Sequence, residues 1–300
     1  MRSILLLALL FLTTALFAQQ DPLYGQYLFN PLLINPAYAG INNNFSAMVG
    51  YRTQWAGFEG HPETFYVSGN ASVLENKVGA GLLVINDQVG NISNTESNLA
   101  FSYKLNLRHA AFSYGMQVGF QHYTTSYADL NVYDQGDNAF MGGETGTRIN
   151  IGAGAVLTGD KYFIGFSVPR LLPTTFKNAG QEFELYNRHY YLHVAYLFYL
   201  SDRLRFKPTA LLRGVADAPA NIDVAFNVNI DGQYTTGLFT RNLNTYGVLL
   251  QATFKNQLRA GYTFEMPSSN SVGSNFNTHE VNLGIMLSIF SYHEESINNF

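Results

Sequence analysis

An apolar–polar alternation with a period of two runs through most of this 300-residue chain and limits the folds open to it. Residues 221–230 show it most clearly. There, five apolar side chains alternate with small or polar ones: Ile222, Val224, Phe226, Val228 and Ile230. This pattern is typical of β-strands with one apolar face. It predicts fourteen strands: 44–55, 63–74, 77–87, 96–105, 110–124, 147–158, 161–169, 188–199, 204–215, 221–230, 233–240, 245–255, 257–265 and 279–289.

The connections between these segments alternate in length. Six are tight and carry Asn, Asp or Gly, which favour hairpin turns: 74–77, 105–110, 158–161, 199–204, 230–233 and 254–257. The other seven are mostly longer and include 125–146, 170–187 and 266–278. Outer-membrane barrels have short turns at one rim, long loops at the other and an even number of strands. The sequence therefore predicts an all-β fold, a 14-stranded antiparallel transmembrane β-barrel.

The soluble alternative is a large β-sandwich or propeller, which also uses short alternating strands. Charged residues make up only 13% of the chain, against roughly 25% in soluble domains. The polar faces carry Gly, Ser and Ala where soluble strands carry Lys, Glu and Thr. A barrel in lipid turns its apolar faces outward and keeps small or polar residues inside, so the composition favours the barrel. The net charge of -4 does not indicate a nucleic-acid partner.

The first residues indicate export. Met1 and Arg2 precede an apolar run over 4–17 that ends in Ala18. A charged start, a short apolar middle and a small final residue are typical of a secretory signal peptide. We expect a signal peptide over 1–18, a plug-like segment over 19–43, a barrel over 44–289 and a tail over 290–300.

The segment before the first strand does not alternate and contains two Asn-Pro steps. It is too irregular to face lipid, where backbone polar groups find no partner. Several glycines on the inward faces of the strands leave room for it inside. We expect it to enter the lumen as a plug through Tyr27, Phe29, Asn30, Pro31, Asn35, Pro36, Ala37 and Tyr38.

Three sequence runs are also familiar as a set. QYLFNPLLINPAYAG over 26–40 is followed by YRTQW over 51–55 and by HPET over 61–64. Together they resemble the opening of the PorP/SprF family, outer-membrane proteins of the type IX secretion system of Bacteroidetes. Its motif residues here are Tyr51, Arg52, Gln54, Trp55, Pro62 and Thr64. The resemblance continues through DQVG at 87–90, IGFSVP at 164–169, GLFTR at 237–241 and THE at 278–280.

The resemblance implies a role in protein secretion and not an enzyme. It implies an outer-membrane location in a Gram-negative bacterium, with lipid around the barrel. The implied protein partners are other type IX secretion components and secreted cargo that bears the C-terminal sorting domain. In gliding species, the cargo would include surface adhesins.

Two charged pairs are expected inside the barrel. Arg52 and Glu280 fall on the polar faces of the first and last strands, which closure brings together. Arg213 and Asp223 flank one loop with the same parity. We expect both pairs to be structural, because buried pairs fix geometry more than they add stability.

No catalytic, cofactor or metal site is predicted. The chain has no cysteine, and its seven histidines form no metal-binding motif. Two alternatives remain open. One is a FadL-like transporter of hydrophobic small molecules, and the other is an outer-membrane hydrolase that pairs His61 or His122 with a serine at the rim.

Overall fold

The computed structural model describes residues 25–126, 144–172, 174–178, 181–186, 188–215, 219–268 and 276–287. Side chains are described over the same ranges except 174–178, 181–186 and Gln26. The expected signal peptide and C-terminal tail lie outside these ranges, as do parts of the longest loops. No helix in the described ranges is long and apolar enough to cross a membrane.

The described chain folds into three short 3-10 helices and seventeen strands. The helices are η1 (Gly25–Leu28), η2 (Pro31–Leu33) and η3 (Pro36–Tyr38). The strands are β1 (Phe45–Thr53), β2 (Glu63–Val73), β3 (Val78–Val89), β4 (Ile92–Asn106), β5 (Ala111–Thr125), β6 (Glu144–Thr158), β7 (Tyr162–Val168), β8 (Thr174–Asn178), β9 (Gln181–Tyr186), β10 (His189–Tyr196), β11 (Phe198–Tyr199), β12 (Leu204–Val215), β13 (Asn221–Ile230), β14 (Tyr234–Arg241), β15 (Thr245–Phe254), β16 (Leu258–Pro267) and β17 (Thr278–Leu287).

Fourteen of these strands close into an antiparallel barrel, which confirms the predicted fold. Each pairs with its neighbours along the chain, and β10 with its continuation β11 counts as one strand. β8 and β9 form a separate two-stranded hairpin in the loop after β7. Closure comes from β1, which pairs with β17 from Phe45↔Leu287 to Thr53↔His279. A closed ring has no edge strand, so every strand can satisfy its backbone groups within the wall.

The two faces of the wall differ sharply. Large apolar side chains point outward and are exposed, among them Val49, Phe101, Met116, Phe166, Phe226 and Leu238. The alternate positions point inward and are buried, and many are polar or charged, such as Asn98, Gln117, Asn150, Asp223 and Glu280. An apolar outside with a polar inside is the pattern of barrels in lipid.

Several strands depart from the predicted bounds, most clearly the fourth and the eighth. The sequence predicted a strand over 96–105, but β4 begins at Ile92 and β3 extends to Val89, so only two residues connect them. The predicted strand 188–199 is interrupted at Leu197. The pairs Ala195↔Thr209 and Phe198↔Phe206 flank the interruption. Pro208 of β12 lies across from it and has no N–H to donate to a neighbour.

Candidate functional site: the lumen and its N-terminal segment

The segment Gly25–Asn44, here called the N-terminal segment, is buried along most of its length. Its two Asn-Pro steps each start a 3-10 turn, because proline fits the first helical position, where no N–H is needed. The Asn35 side chain also accepts a hydrogen bond from the Ala37 N–H at 2.9 Å. The irregular sequence therefore gives a compact, locally hydrogen-bonded strip.

Three serines on three strands bind the backbone of this strip. Ser167 Oγ of β7 donates to the Ile34 carbonyl at 2.7 Å, and Ser113 Oγ of β5 donates to the Ala37 carbonyl at 2.9 Å. Ser102 Oγ of β4 donates to the Ala39 carbonyl at 2.6 Å. Buried carbonyls outside regular structure need such partners, so the wall is chemically matched to the segment.

Side chains of the segment reach the wall as well. The Asn30 amide donates to Ser68 Oγ at 2.8 Å, and the Asn35 amide donates to the carbonyl of Phe166 at 3.3 Å. Tyr38 shares a hydrogen bond with His193 Nδ1 at 3.2 Å. Phe29, Pro31 and Pro36, the other predicted plug residues, belong to the same strip.

Glycines in the wall make room for the segment. A Cβ at Gly79 would lie 1.9 Å from the Ala39 carbonyl oxygen, and one at Gly115 would lie 2.6 Å from Ala37 Cα. A Cβ at Gly154 would lie 2.1 Å from Asn35 Oδ1. Any larger residue at these positions would therefore have to displace the strip.

Apolar contacts complete the fit. Tyr27, Leu28, Phe29, Leu33 and Ile34 pack in one buried cluster with inward residues of the wall, Met48, Tyr66, Leu83, Ile85, Tyr191, Leu211, Ala225, Phe239 and Leu249. A second cluster joins Ala37, Tyr38 and Ile41 to Val156, Phe163 and Leu197. The inner wall therefore offers the segment apolar partners as well as hydrogen-bonding ones.

A network of six charged side chains lies beside the start of the segment. This ion network consists of Arg52, Arg213, Asp223, Arg241, Glu265 and Glu280. Arg52 and Glu265 form a bidentate pair at 2.9 Å and 3.0 Å. Arg52 Nη1 also lies 3.5 Å from Glu280 Oε2, so the structure brings the predicted closure pair together. Three positive and three negative groups balance one another, as buried charges require.

The rest of the ion network extends across neighbouring strands. Arg241 Nη2 lies 3.0 Å from Glu265 Oε1, and Arg241 Nε lies 3.7 Å from Asp223 Oδ2. Arg213 Nη2 lies 2.9 Å from Asp223 Oδ1, so the second predicted pair is also in contact. Tyr27 sits next to these charges. Burial, followed by the charge of Asp223, raises the pKa of its phenol far above the ordinary value.

The N-terminal segment is tied to this network directly. The Gly25 N–H donates to Glu280 Oε2 at 2.8 Å. The same carboxylate oxygen therefore contacts both Arg52 of the first strand and the start of the segment. The Glu280 carboxylate of the last strand therefore links barrel closure to the position of the segment.

The sequence analysis did not predict Arg241 and Glu265 as part of the network, although the alternation along their strands places both on inward faces. Glu265 shares the inward face of β16 with Thr263, and Arg241 shares the inward face of β14 with Phe239. It also missed a second buried pair, in which Arg170 Nη2 lies 2.6 Å from Glu96 Oε2. Glu96 opens the predicted strand 96–105, and Arg170 lies in a predicted loop, so no parity rule joined them.

The motif residues in and around the loop between β1 and β2 contact one another and neighbouring strands. Tyr51 faces outward and donates to Glu63 Oε1 at 2.6 Å. The Gln54 N–H donates to the Pro62 carbonyl at 2.9 Å, which closes the loop between β1 and β2. Thr64 donates to Asp87 Oδ1 at 2.6 Å, which links HPET to DQVG.

Trp55 joins this loop to the start of the last strand. It takes a left-handed φ of 57°, and its N–H donates to Thr278 Oγ1 at 3.4 Å. Thr278 belongs to the THE run, which also supplies Glu280. The runs that carry the resemblance are therefore distant in sequence and adjacent in space.

The histidines named for the hydrolase alternative have other neighbours. His61 contacts the Phe58 carbonyl and Glu63, and His122 contacts Thr147 at 2.9 Å. No group of three His, Asp or Glu side chains within the described ranges is placed to hold a metal.

The closed fourteen-strand ring, its apolar outside and its polar inside define an outer-membrane β-barrel protein. The family model for the type IX secretion system membrane protein PorP/SprF matches residues 16–285, so the chain belongs to the PorP/SprF family. No curated protein matches the chain.

Solved structures give the fold independently. A FadL homologue from Pseudomonas aeruginosa has a TM-score of 0.52 at 10% identity, covering 91% of this chain and 96% of that chain. The toluene transporter TodX from P. putida has a TM-score of 0.50 at 9% identity, covering 89% of this chain and 95% of that chain. At these identities the similarity concerns the barrel architecture alone.

Proposed function

We propose that this protein is a non-catalytic docking scaffold of type IX secretion, which supports the secretion or surface retention of cargo proteins. The cargo class is proteins with the C-terminal sorting domain, including gliding adhesins in motile species. Family membership supports the secretion role. In this proposal the N-terminal segment plugs the lumen, and other secretion components bind at the rims.

The observation that supports the scaffold role is the close fit of the N-terminal segment to the inward face of the wall. The segment is held by hydrogen bonds from β4, β5 and β7 and by two apolar clusters. One cavity beside it, between Phe29 and Arg259, measures about 30 Å³. That is room for about one water molecule and not for a translocating chain.

The FadL-like alternative has less support. It calls for a gap in the wall and an apolar cavity inside, whereas each barrel strand is paired on both sides. The larger apolar depressions, of about 540 Å³ near Val49 and about 370 Å³ near Tyr262, are lined mainly by outward residues. Likeness to FadL-type structures concerns the fold and adds nothing to this alternative.

The test is genetic and biochemical. The gene is deleted in its native host, and cargo bearing the sorting domain is measured in the medium and on the cell surface. We expect loss of surface or secreted cargo and recovery with the wild-type gene. Affinity capture of the tagged protein from native membranes is expected to recover other secretion components. Normal cargo export together with reduced uptake of a hydrophobic small molecule would favour the transporter instead.

A further inference from the structure

A polar cavity of about 350 Å³ opens at the short-turn rim of the barrel. Its walls come from three places: the end of the N-terminal segment at Ile41 and Asn43, the β4–β5 turn at 106–110, and the β6–β7 turn at 159–160. This volume lies within the usual range of ligand pockets, roughly 300–1,000 Å³. The seated segment therefore supplies one wall of the cavity.

The charges around this cavity are mainly positive. Lys104 and Arg108 line it together with His109, against one carboxylate, Asp160. Lys104 points inward from β4 and is buried, with its ammonium on Asn43 Oδ1, whereas Arg108 and His109 are exposed in the turn. A concave site with converging cationic donors favours an oxyanion, which accepts charge-assisted hydrogen bonds.

The position of the cavity further restricts the class of ligand that can reach it. Short turns of outer-membrane barrels face the periplasm. The cavity is lined by turn residues and by inward side chains of the wall, such as Lys104 and Thr158. A ligand must therefore approach from the aqueous mouth, which a soluble protein can do and a membrane lipid cannot do without leaving its leaflet.

We propose that this cavity binds a carboxylate carried by an extended peptide of a periplasmic protein. Arg108 and Lys104 bind the carboxylate, and the exposed Asn106 side chain bonds the peptide backbone. Because Asn43 belongs to the N-terminal segment, an occupied cavity stabilises the seated segment by linkage. The inference does not depend on the role in secretion.

The test uses the purified full-length barrel in detergent and isothermal titration with three peptide probes and, separately, with inorganic phosphate. Acetyl-Gly-Glu-Gly-amide carries a side-chain carboxylate, and acetyl-Gly-Gly-Gly carries a terminal one. Acetyl-Gly-Gln-Gly-amide is the neutral match. We expect saturable binding of at least one acidic probe and no binding of the neutral probe. The acidic probe that binds more strongly shows whether the site prefers a side-chain or a terminal carboxylate. Equal binding of all three, or binding of inorganic phosphate alone, would overturn the proposal.

Variants separate the cavity from general rim charge. Arg108→Gln and Lys104→Gln are each expected to weaken binding of the acidic probe at least tenfold. Lys255→Gln removes the same charge from an exposed turn between β15 and β16 and is expected to leave binding unchanged. Gly79→Val displaces the segment at Ala39 and is expected to abolish binding. Equal losses in Arg108→Gln and Lys255→Gln, or unchanged binding in Gly79→Val, would contradict the site.

Discussion

Arg52 of the first strand and Glu265 of β16 form a bidentate pair across β17, with distances of 2.9 Å and 3.0 Å. The pair spans the junction between the first and last strands, where the ring closes. Parallel N–H···O bonds of this kind fix orientation as well as distance. The closure of the barrel therefore rests on charges from three adjacent strands and not on backbone pairing alone.

Removal of one partner leaves an uncompensated buried charge. Arg52→Met is expected to destabilise the barrel by about 3–5 kcal/mol. The measurement is the midpoint of unfolding by urea or heat. Folded barrel migrates faster than unfolded chain when unboiled samples are run on a denaturing gel, so the fraction folded is read from the two bands. The matched control is Arg203→Gln, which breaks the exposed pair with Asp231 in a turn and is expected to change little. Equal stability of wild type and Arg52→Met would contradict a structural role for the ion network.

The seated segment predicts a sensitive position at Gly115. Gly115→Val forces side-chain atoms into the backbone at Ala37 and is expected to displace the segment and raise the single-channel conductance in planar bilayers. Gly69→Val is the matched control, because a Cβ there meets its nearest neighbour only at 3.8 Å. A low conductance in both variants would show that the segment does not seal the lumen.

A covalent lock distinguishes a fixed plug from a moving gate. The chain has no cysteine, so Asn30→Cys with Ser68→Cys creates one defined pair, at two side chains that now lie 2.8 Å apart. The oxidised variant, or its product with a short bifunctional maleimide, is expected to export cargo at the wild-type rate. The two single cysteine variants are the controls. A loss of export that reduction restores would mean that the segment has to move.

The lipid-facing surface is tested at two equally exposed leucines. Leu238 of β14 is 64% exposed on the outer face, and Leu243 is 69% exposed in the β14–β15 turn. Leu238→Arg is expected to destabilise the barrel by roughly 2–4 kcal/mol if the residue lies near the bilayer midplane. Leu243→Arg is expected to be close to neutral, because the turn lies outside the hydrocarbon. The readout is the unfolding midpoint in lipid vesicles. An equally small shift of the midpoint in both variants would place both residues in water.

The strand number was predictable because one face of each strand contacts lipid and the other faces the lumen. Apolar and polar residues therefore alternate with a period of two along each strand. The pattern fails where a strand carries polar side chains on both faces. Ile92 and Asn94 begin β4 at the long-loop rim, but the residues around them are polar on both sides, so the predicted strand started late at residue 96.

Partners inside the lumen were harder to predict. Parity placed Arg52 and Glu280 on inward faces, and the adjacency of the first and last strands follows from closure. Parity does not give the relative stagger of strands two positions apart, so Glu265 was not paired with Arg52. Glu96 and Arg170 are joined only by the path of a loop, which periodicity does not describe.

The hydrogen bond from the Gly25 N–H to Glu280 joins residues 255 positions apart. Glu280 lies on the last strand to be synthesised, and Gly25 precedes the first. This bond cannot form until the final strand has entered the membrane and met β1. The start of the described chain is thus docked against its last strand, so this contact exists only in the fully assembled cylinder.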